Sequence, residues 1–256
     1  TMFGPPNDDR HTPPSRLTLL HGFTQNRRCW GLFAEHLGRS HHVNALDLPG
    51  HGDGSAALDP WSTADALAAG AAGEGGPSDW LGYSLGGRML LHVLLAHPEA
   101  VRRAVLIGAT AGLKDPTERS ARRSADEDLA GRIEQEGVDA FLERWLALPL
   151  FAALPAWARF DEQRRSNTAE GLAGSLRLAG TAAQDNLWPR LGDIETPVLV
   201  LAGARDAKFA ALGRGLAEAL PHGEFRTVPR AGHAAHLEAP EATAALAEGW
   251  LRRASG

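Results

Sequence analysis

Short apolar runs alternate with longer amphipathic stretches along most of the chain, which is the pattern of an α/β protein built on a parallel sheet. The runs are apolar almost throughout, so we expect strands that helices cover on both faces. The predicted strands are Leu17–Leu20, Val43–Leu46, Trp80–Tyr83, Ala104–Ile107, Val198–Ala202 and Phe225–Val228. The predicted helices are Trp30–Leu37, Ala64–Ala72, Gly86–Ala96, Ala210–Ala219 and Pro240–Arg252.

The alternation stops between Leu113 and Trp188, where the sequence is rich in charge and helix formers. Roughly 75 residues are too many for one crossover between strands, so an inserted helical cap is favoured over two ordinary crossover helices. The predicted organisation is therefore a core at 1–112 and 189–256 with a cap at 113–188. Apolar residues of the predicted cap fall at helical spacing, as at Phe141, Leu142, Trp145, Leu146 and Leu148.

The chain is mildly acidic, because its 256 residues include 26 Lys and Arg against 31 Asp and Glu. Nucleic-acid and anionic-membrane sites need a clustered basic face, so we expect neither partner. No apolar run approaches the ~20 residues of a membrane-spanning helix, and the polar start from Thr1 to Ser15 predicts no secretory signal. The single cysteine, Cys29, favours a reducing compartment. We therefore expect the cytoplasm as the compartment. As a separate expectation, the protein is a monomer or a homodimer.

The pentapeptide Gly82–Gly86 has the form G-x-S-x-G and lies between a predicted strand and a predicted helix. That context is the one in which this motif presents a nucleophilic serine on a sharp turn. Glycines on either side remove the Cβ atoms that would collide there, and the helix N-terminus favours developing negative charge. Ser84 is therefore the candidate catalytic serine.

A catalytic serine needs a base, and the base needs an acid that orients it. Asp206 follows the strand Val198–Ala202, at the edge of the sheet where parallel sheets place their sites. His233 lies after the last strand and before the last helix, so the three residues occur in the order Ser, Asp, His. The sequence predicts a triad of Ser84, Asp206 and His233.

Other side chains could fill two of these roles. His236 is the rival base, but Gly232 directly before His233 suggests a tight loop that presents His233. Asp185 and Asp193 are weaker candidates for the acid, because neither follows a predicted strand.

The loop after the first predicted strand has the sequence His21-Gly22-Phe23. We expect the backbone N–H of Phe23 and that of Leu85, which follows the serine, to point at one position and form an oxyanion hole. Such donors are worth roughly 2.7–4 kcal/mol each to a transition state.

Arg88 lies one helical turn after Ser84, and long side chains on a helix point toward its N-terminus. A guanidinium beside the serine suits a carboxylate substrate, because it can bind a carboxylate through two hydrogen bonds. The alternative is a solvated arginine on the helix surface. We find no set of residues that predicts a metal site, and no cofactor is implied.

Five segments together resemble the α/β-hydrolase superfamily. They are LLHGF (19–23), DLPGHG (47–52), GYSLGG (82–87), GARD (203–206) and GHAAHLEAP (232–240). They occur in the superfamily's order across nearly the whole chain. The resemblance implies an α/β-hydrolase fold, a mostly parallel sheet flanked by helices with an inserted helical cap.

A closer resemblance is to one branch, the 2-succinyl-6-hydroxy-2,4-cyclohexadiene-1-carboxylate synthases of menaquinone biosynthesis. The matching segments are GYSLGGR (82–88), Ala121-Arg122, a W-x-x-x-P-L-F segment at 145–151, Arg165-Ser166-Asn167, and D-x-K-F at 206–209. The branch implies that Arg122 and Arg165 are further carboxylate clamps beside Arg88. Tyr83 would offer its hydroxyl to the substrate, and Trp145 would either wall the substrate site or belong to the core of the cap.

The resemblance implies a lyase that acts on a small carboxylate without a cofactor. Ser84 would act as a base, remove a proton from a succinyl-cyclohexene-carboxylate and expel pyruvate. Two alternatives use the same residues differently. One is a serine hydrolase (carboxylesterase, lactonase or carbon–carbon bond hydrolase) that works through an acyl-enzyme. The other is a ligand-binding member of the fold without catalysis.

Overall fold

A computed structural model of the chain describes residues 15–71 and 76–253. The start of the chain, for which no secretory signal is expected, lies almost wholly outside the described residues. The strands are β1 (Ser15–Leu20), β2 (His41–Leu46), β3 (Ser78–Tyr83), β4 (Val101–Ile107), β5 (Val198–Gly203) and β6 (Gly223–Val228). The α-helices are α1 (Gly31–Leu37), α2 (Pro60–Ala71), α3 (Leu85–Ala96), α4 (Pro116–Leu146), α5 (Asp161–Arg165), α6 (Ala169–Ala179), α7 (Ala207–Ala219), α8 (Ala235–Glu238) and α9 (Pro240–Leu251).

The six strands form one parallel sheet in the order β2-β1-β3-β4-β5-β6. The prediction of an α/β fold with a parallel sheet is therefore confirmed. All strands but β5 begin two or three residues before the predicted start, because polar residues there also pair. Ser15, for example, lies opposite His41 in the register of β1 and β2.

Successive strand residues enter two apolar layers, one on each face of the sheet. In β3, Trp80 packs in the layer beneath α2, α3 and α7, and the next residue, Leu81, packs in the layer beneath α1 and α9. Every residue of β3 and of β5 is buried. Burial on both faces explains why the strands are apolar runs rather than alternating ones.

The strand order reverses between β1 and β3, because β2 lies on one side of β1 and all later strands lie on the other. In open parallel sheets, the carboxyl ends of the strands at such a reversal form a crevice that binds ligands. The loop after β1 carries Phe23, and the turn after β3 carries Ser84. The topology therefore brings the predicted oxyanion loop and the predicted nucleophile together.

Helices alone occupy the segment predicted to be a cap, all of which the structure describes. Asp115 caps α4 by accepting hydrogen bonds from the N–H groups of Thr117 and Glu118. The helix is interrupted at Gly137, whose φ of 79° lies in the left-handed region. Helix α4 packs on α6 through an apolar cluster that includes Ile133, Phe141, Leu142 and Leu172. The division into a core and a separate cap remains a prediction.

No helix among the described residues combines the length and the apolar character needed to cross a membrane.

The turn between β3 and α3 leaves no room for a side chain at Gly86. A Cβ atom there would lie 2.0 Å from the carbonyl oxygen of Leu20. We expect Gly86→Ala to lower the free energy of unfolding by about 3 kcal/mol, because the backbone of β1 cannot move away cheaply. Gly249→Ala is the matched control, since nothing lies within 4 Å of a Cβ atom at that position of α9. It should raise stability by about 0.5–1 kcal/mol. Urea unfolding measures both, and equal midpoints for the two variants would contradict the packing argument.

Candidate active site

Ser84 occupies a strained turn between β3 and α3. Its φ of 49° and ψ of −106° are unusual for a residue with a side chain. Its N–H donates to the carbonyl oxygen of Ile107 at 2.8 Å, which fixes the turn to β4. A Cβ atom at Gly82 would lie 2.5 Å from the carbonyl oxygen of Gly86, and a Cβ atom at Gly86 would lie 2.0 Å from that of Leu20. Both ends of the turn must therefore be glycine. The turn holds the Ser84 hydroxyl at the N-terminus of α3.

The structure brings Ser84, His233 and Asp206 into one hydrogen-bonded chain. The Nε2 atom of His233 lies 3.3 Å from the Ser84 Oγ, and its Nδ1 lies 2.9 Å from the Asp206 Oδ2. The other carboxylate oxygen of Asp206 accepts from the N–H of Phe209 at 3.1 Å, so this side chain also caps α7. The arrangement can move a proton from the serine to the imidazole while the carboxylate orients the ring.

The hydrogen bonds that Asp206 accepts keep its carboxyl group ionised. Burial acts to raise the pKa of its carboxyl, but the hydrogen bonds from His233 and from the N–H of Phe209 outweigh burial, and the pKa lies below its usual value. The His233 ring is almost fully buried and lies 4.4 Å from the Phe209 ring, centroid to centroid. An ionised Asp206 can stabilise the imidazolium that forms when His233 accepts a proton.

The rival side chains lie elsewhere. His236 is fully buried, its ring centroid is 4.2 Å from that of Tyr83, and neither of its ring nitrogens has a hydrogen-bond partner among the described residues. Asp185 accepts from the indole N–H of Trp61, and Asp193 pairs with Arg190. None of the three touches Ser84.

Two backbone N–H groups beside Ser84 are left unpaired. Within the part of the chain that the structure describes, neither Phe23 nor Leu85 donates its N–H to a protein acceptor, and both residues line the cavity above Ser84. The loop that carries Phe23 is held by the side chain of Gln25, which accepts from the N–H of Gly22 at 2.9 Å. Two free donors that line the cavity above Ser84 are what an oxyanion hole needs. The oxyanion hole of Phe23 and Leu85 remains a prediction.

His21 braces the same loop as a neutral ring. Its Nε2 accepts from the N–H of Leu48 at 3.0 Å, so the proton resides on Nδ1, which donates to the carbonyl oxygen of Gly22 at 2.8 Å. Burial lowers the pKa of His21 to about 4. The ring therefore ties the loop after β1 to the loop after β2 and takes no part in proton transfer.

The cavity over Ser84 has a volume of about 360 Å³ and is rich in cations. Three arginines and one lysine line it, against a single carboxylate, that of Asp206. Its residues are Phe23, Gln25, Tyr83, Ser84, Leu85, Arg88, Arg122, Trp145, Leu150, Phe151, Arg164, Ser175, Leu176, Ala179, Gly180, Thr181, Asp206, Lys208, Phe209 and His233. Helical residues of the predicted cap thus cover the site.

Arg88 is buried beside the serine rather than solvated. Its guanidinium donates to two neutral acceptors, the side-chain oxygen of Gln184 at 3.2 Å and the carbonyl oxygen of Ala179 at 2.9 Å. Burial, the larger cause, and repulsion from Arg122, the smaller one, together lower the pKa of Arg88 to about 9. A buried cation with neutral partners is stabilised when an anion binds.

The other two predicted clamps differ in position. Arg122 lines the cavity and uses only its Nε to pair with Asp126 at 2.7 Å. Arg165 instead pairs with Asp139 on an exposed surface at 3.0 Å and does not line the cavity. Its neighbour Arg164 does so, with a buried guanidinium that donates to the hydroxyl of Thr24 and to a backbone carbonyl. Arg164 could not be predicted from the sequence, because a five-residue helix has no periodicity that tells which arginine faces inward.

The two predicted aromatic residues both reach the cavity. Tyr83 is buried, and its ring centroid lies 5.5 Å from that of His233. Trp145 packs edge-on against Phe23 at 5.4 Å and lies 5.6 Å from Phe141 with the two rings tilted, so it both walls the cavity and belongs to the apolar cluster of the predicted cap. Both alternatives stated for Trp145 therefore hold.

Asn167 connects three segments around the oxyanion loop, a role that the sequence did not reveal. Its amide NH₂ donates to the carbonyl oxygens of Thr24 and Arg164 at 2.8 and 2.9 Å. Its amide oxygen accepts from the N–H of Gly52 at 2.8 Å. The only sequence indication was its place in the Arg-Ser-Asn segment, which carries no geometry.

Among residues 15–71 and 76–253, no three His, Cys, Asp or Glu side chains are grouped so that they could hold a metal ion.

Buried His236 predicts how stability depends on pH. Burial holds the pKa of its ring well below the usual value of about 6.5, so the unfolded chain takes up a proton that the folded chain does not. The stability that this neutral ring contributes is present above pH 6.5 and is lost as the pH falls. Relative to His236→Phe, the wild type should lose up to about 1.4 kcal/mol per pH unit below 6.5. Urea unfolding at pH 5 and 8 measures this difference. The control is His42→Phe at an exposed position, which should keep the pH dependence of wild-type stability. Equal pH dependence of stability in the wild type and in His236→Phe would refute the prediction.

Asn167 predicts a positioning effect on catalysis. In Asn167→Ala, the loop that carries Phe23 loses one of its hydrogen bonds to the segment 163–167 and keeps that of Arg164 to Thr24. A misplacement of about 1 Å costs on the order of 100-fold in rate. We expect kcat to fall about 10- to 100-fold with little change in KM, and Asn167→Asp to fall between that variant and wild type. The exposed Asn44→Ala is the control. A folded Asn167→Ala protein with wild-type kcat would show that the tie does not position the loop.

Comparison with known proteins gives matches over nearly the whole chain. The model of the alpha/beta hydrolase family matches residues 19–246. A protein of Serratia proteamaculans (strain 568), named 2-succinyl-6-hydroxy-2,4-cyclohexadiene-1-carboxylate synthase, is 33% identical over 243 residues, which cover 92% of each chain. A synthase of the same name from Klebsiella pneumoniae is 34% identical over 236 residues and 90% of each chain.

Solved structures agree as well. MenH from S. aureus superposes with a TM-score of 0.86 at 28% identity and covers 93% of this chain and 94% of its own. A thermophilic esterase from Thermogutta terrifontis, in a malate-bound structure, superposes with a TM-score of 0.80 at 25% identity and covers 93% and 89%. The chain is an enzyme that belongs to the alpha/beta hydrolase family.

Proposed function

We propose that this enzyme is a lyase of menaquinone biosynthesis that eliminates pyruvate from a succinyl-cyclohexene-carboxylate. The product would be 2-succinyl-6-hydroxy-2,4-cyclohexadiene-1-carboxylate, the compound in the names of its relatives. The excess of cations in the cavity over Ser84 is the observation that carries this proposal.

Four basic side chains with one carboxylate suit a substrate that bears several carboxylates. The esterase reaction makes no such demand, because an ester group is neutral. Arg88 and Arg164 are both buried and donate only to neutral oxygens. Burial of an unneutralised cation is costly, so a bound carboxylate gains more here than it would at an exposed arginine.

The proposed chemistry begins with proton transfer. His233 takes the proton of Ser84, and the serine oxygen removes a proton from the ring carbon next to the succinyl carbonyl. That carbon is acidic because the charge spreads onto the carbonyl oxygen. The C–H electrons form a new double bond in the ring, and the double bond already in the ring shifts one position along. The C–O bond that joins the ring to the pyruvyl group then breaks, which completes a 2,5-elimination. The leaving group is the enolate of pyruvate, which becomes pyruvate on protonation.

The free N–H groups of Phe23 and Leu85 have a clear role in this scheme. They would hold the succinyl carbonyl oxygen as it gains negative charge, as an oxyanion hole holds a tetrahedral intermediate. Ser84 then acts as a base without forming a covalent bond to the substrate. A serine hydrolase would use the same donors for an acyl-enzyme, so the products of the reaction must distinguish the two.

Pyruvate release from the succinyl-cyclohexene-carboxylate, followed spectrophotometrically, tests the proposal. We expect Ser84→Ala to abolish it. Arg88→Ala should lower kcat/KM about 10- to 100-fold, because a charge-assisted hydrogen bond to the substrate is lost, and Arg88→Lys should retain part of the rate.

Arg132→Ala is the control, because Arg132 is exposed on α4 and lines neither the cavity over Ser84 nor the open groove between α4 and α7 that adjoins it. Rapid turnover of an activated ester with no release of pyruvate would overturn the proposed function in favour of a serine hydrolase.

A further inference from the structure

Only two of the 26 basic residues are lysines, and both line the same open groove. Lys114 lies just before α4, and Lys208 lies in the first turn of α7. The groove has a volume of about 1180 Å³ and runs between these two helices. It shares Arg122, Thr181, Lys208 and Phe209 with the cavity over Ser84, so the two spaces adjoin.

Lys114 is held by an aromatic face and not by a carboxylate. Its Nζ lies 3.9 Å from the centre of the Trp188 ring. The indole N–H of Trp188 donates to the carbonyl oxygen of Gly112 at 3.0 Å, and the ring lies beside Gly215 of α7. A cation on an aromatic face keeps its N–H groups available for a ligand.

The three cations of the groove have unused hydrogen-bond donors. Within the described residues, neither Lys114 nor Lys208 forms an ion pair, and Arg122 pairs with Asp126 through its Nε. Two carboxylates, Glu118 and Glu218, also line the groove. Glu118 lies one helical turn from Arg122 and thus opposes the attraction of an anion.

We propose that Lys114 extends the cations of the cavity over Ser84 into the groove. Together with Lys208 and Arg122, which line both spaces, it forms a second anion subsite for a carboxylate of the substrate. This inference rests on the proposed function only for the identity of the substrate as a polycarboxylate. One carboxylate of the substrate would bind at Arg88 in the cavity over Ser84, and another would bind at Lys114 in the groove. Because the groove is exposed, its contribution is modest and falls as salt is added.

The rarity of lysine makes a direct test possible. Lys114 and Lys208 are the only lysines among the 256 residues, so acetylation with limiting acetic anhydride reports on these two side-chain amines. The probe is 2-succinylbenzoate, which carries two carboxylates, at a concentration that titration shows to be saturating. Benzoate at equal ionic strength is the control with one carboxylate.

Peptide mass spectrometry then measures the rate at each amine. We expect 2-succinylbenzoate to slow acetylation of Lys114 several-fold and benzoate to leave it unchanged. Lys208 lines both spaces, so Lys114 is the amine that reports on the groove. Equal acetylation of Lys114 with and without saturating 2-succinylbenzoate would overturn the subsite.

Charge changes on the groove wall give a second test. Lys114→Met should weaken 2-succinylbenzoate binding about two- to fivefold, and Glu118→Gln should strengthen it by a similar factor; Arg132→Met should leave it unchanged. Affinities that do not respond to either groove variant would contradict the proposal. The outcome is separable from that of the proposed function. Protected Lys114 without pyruvate release would refute the lyase alone, and pyruvate release with unprotected Lys114 would refute the subsite alone.

Discussion

The positive φ of Ser84 is the constraint on which the rest of the site depends. The turn persists because Gly82 and Gly86 allow the backbone of β1, β3 and α3 to come into direct contact. That contact sets the distance between the loop after β1 and the first turn of α3. Phe23, Ser84 and Leu85 therefore line one cavity, and stable packing of the sheet holds the strain.

Charge is the second organising element. The cavity places buried guanidinium groups of Arg88 and Arg164 among neutral oxygens, where a cation is less stable than in water. A bound anion would supply negative charge to both guanidinium groups, so the cavity favours anions over neutral ligands. The same triad and oxyanion donors can serve acyl transfer or proton abstraction, and these cations are what favour a polycarboxylate substrate.

The sequence predicted those features that local rules specify. A strand–turn–helix motif requires Ser84 at a strand end, and chain order then points to Asp206 and His233. Features that depend on distant contacts were not predictable. Two adjacent arginines on a five-residue helix gave no reason to choose Arg164 over Arg165, and the ties of Asn167 to Thr24 and Gly52 join segments more than 100 residues apart.

The proposed function requires Ser84 to act as a base rather than as a nucleophile. The most direct test uses a substrate deuterated at the ring carbon next to the succinyl carbonyl, with pyruvate release measured in a single turnover and the protein mass measured in the quenched reaction. If Ser84 is a base, deuterium slows pyruvate release and Ser84 stays unmodified. Release that is insensitive to deuterium, together with an acyl adduct on Ser84, would contradict it.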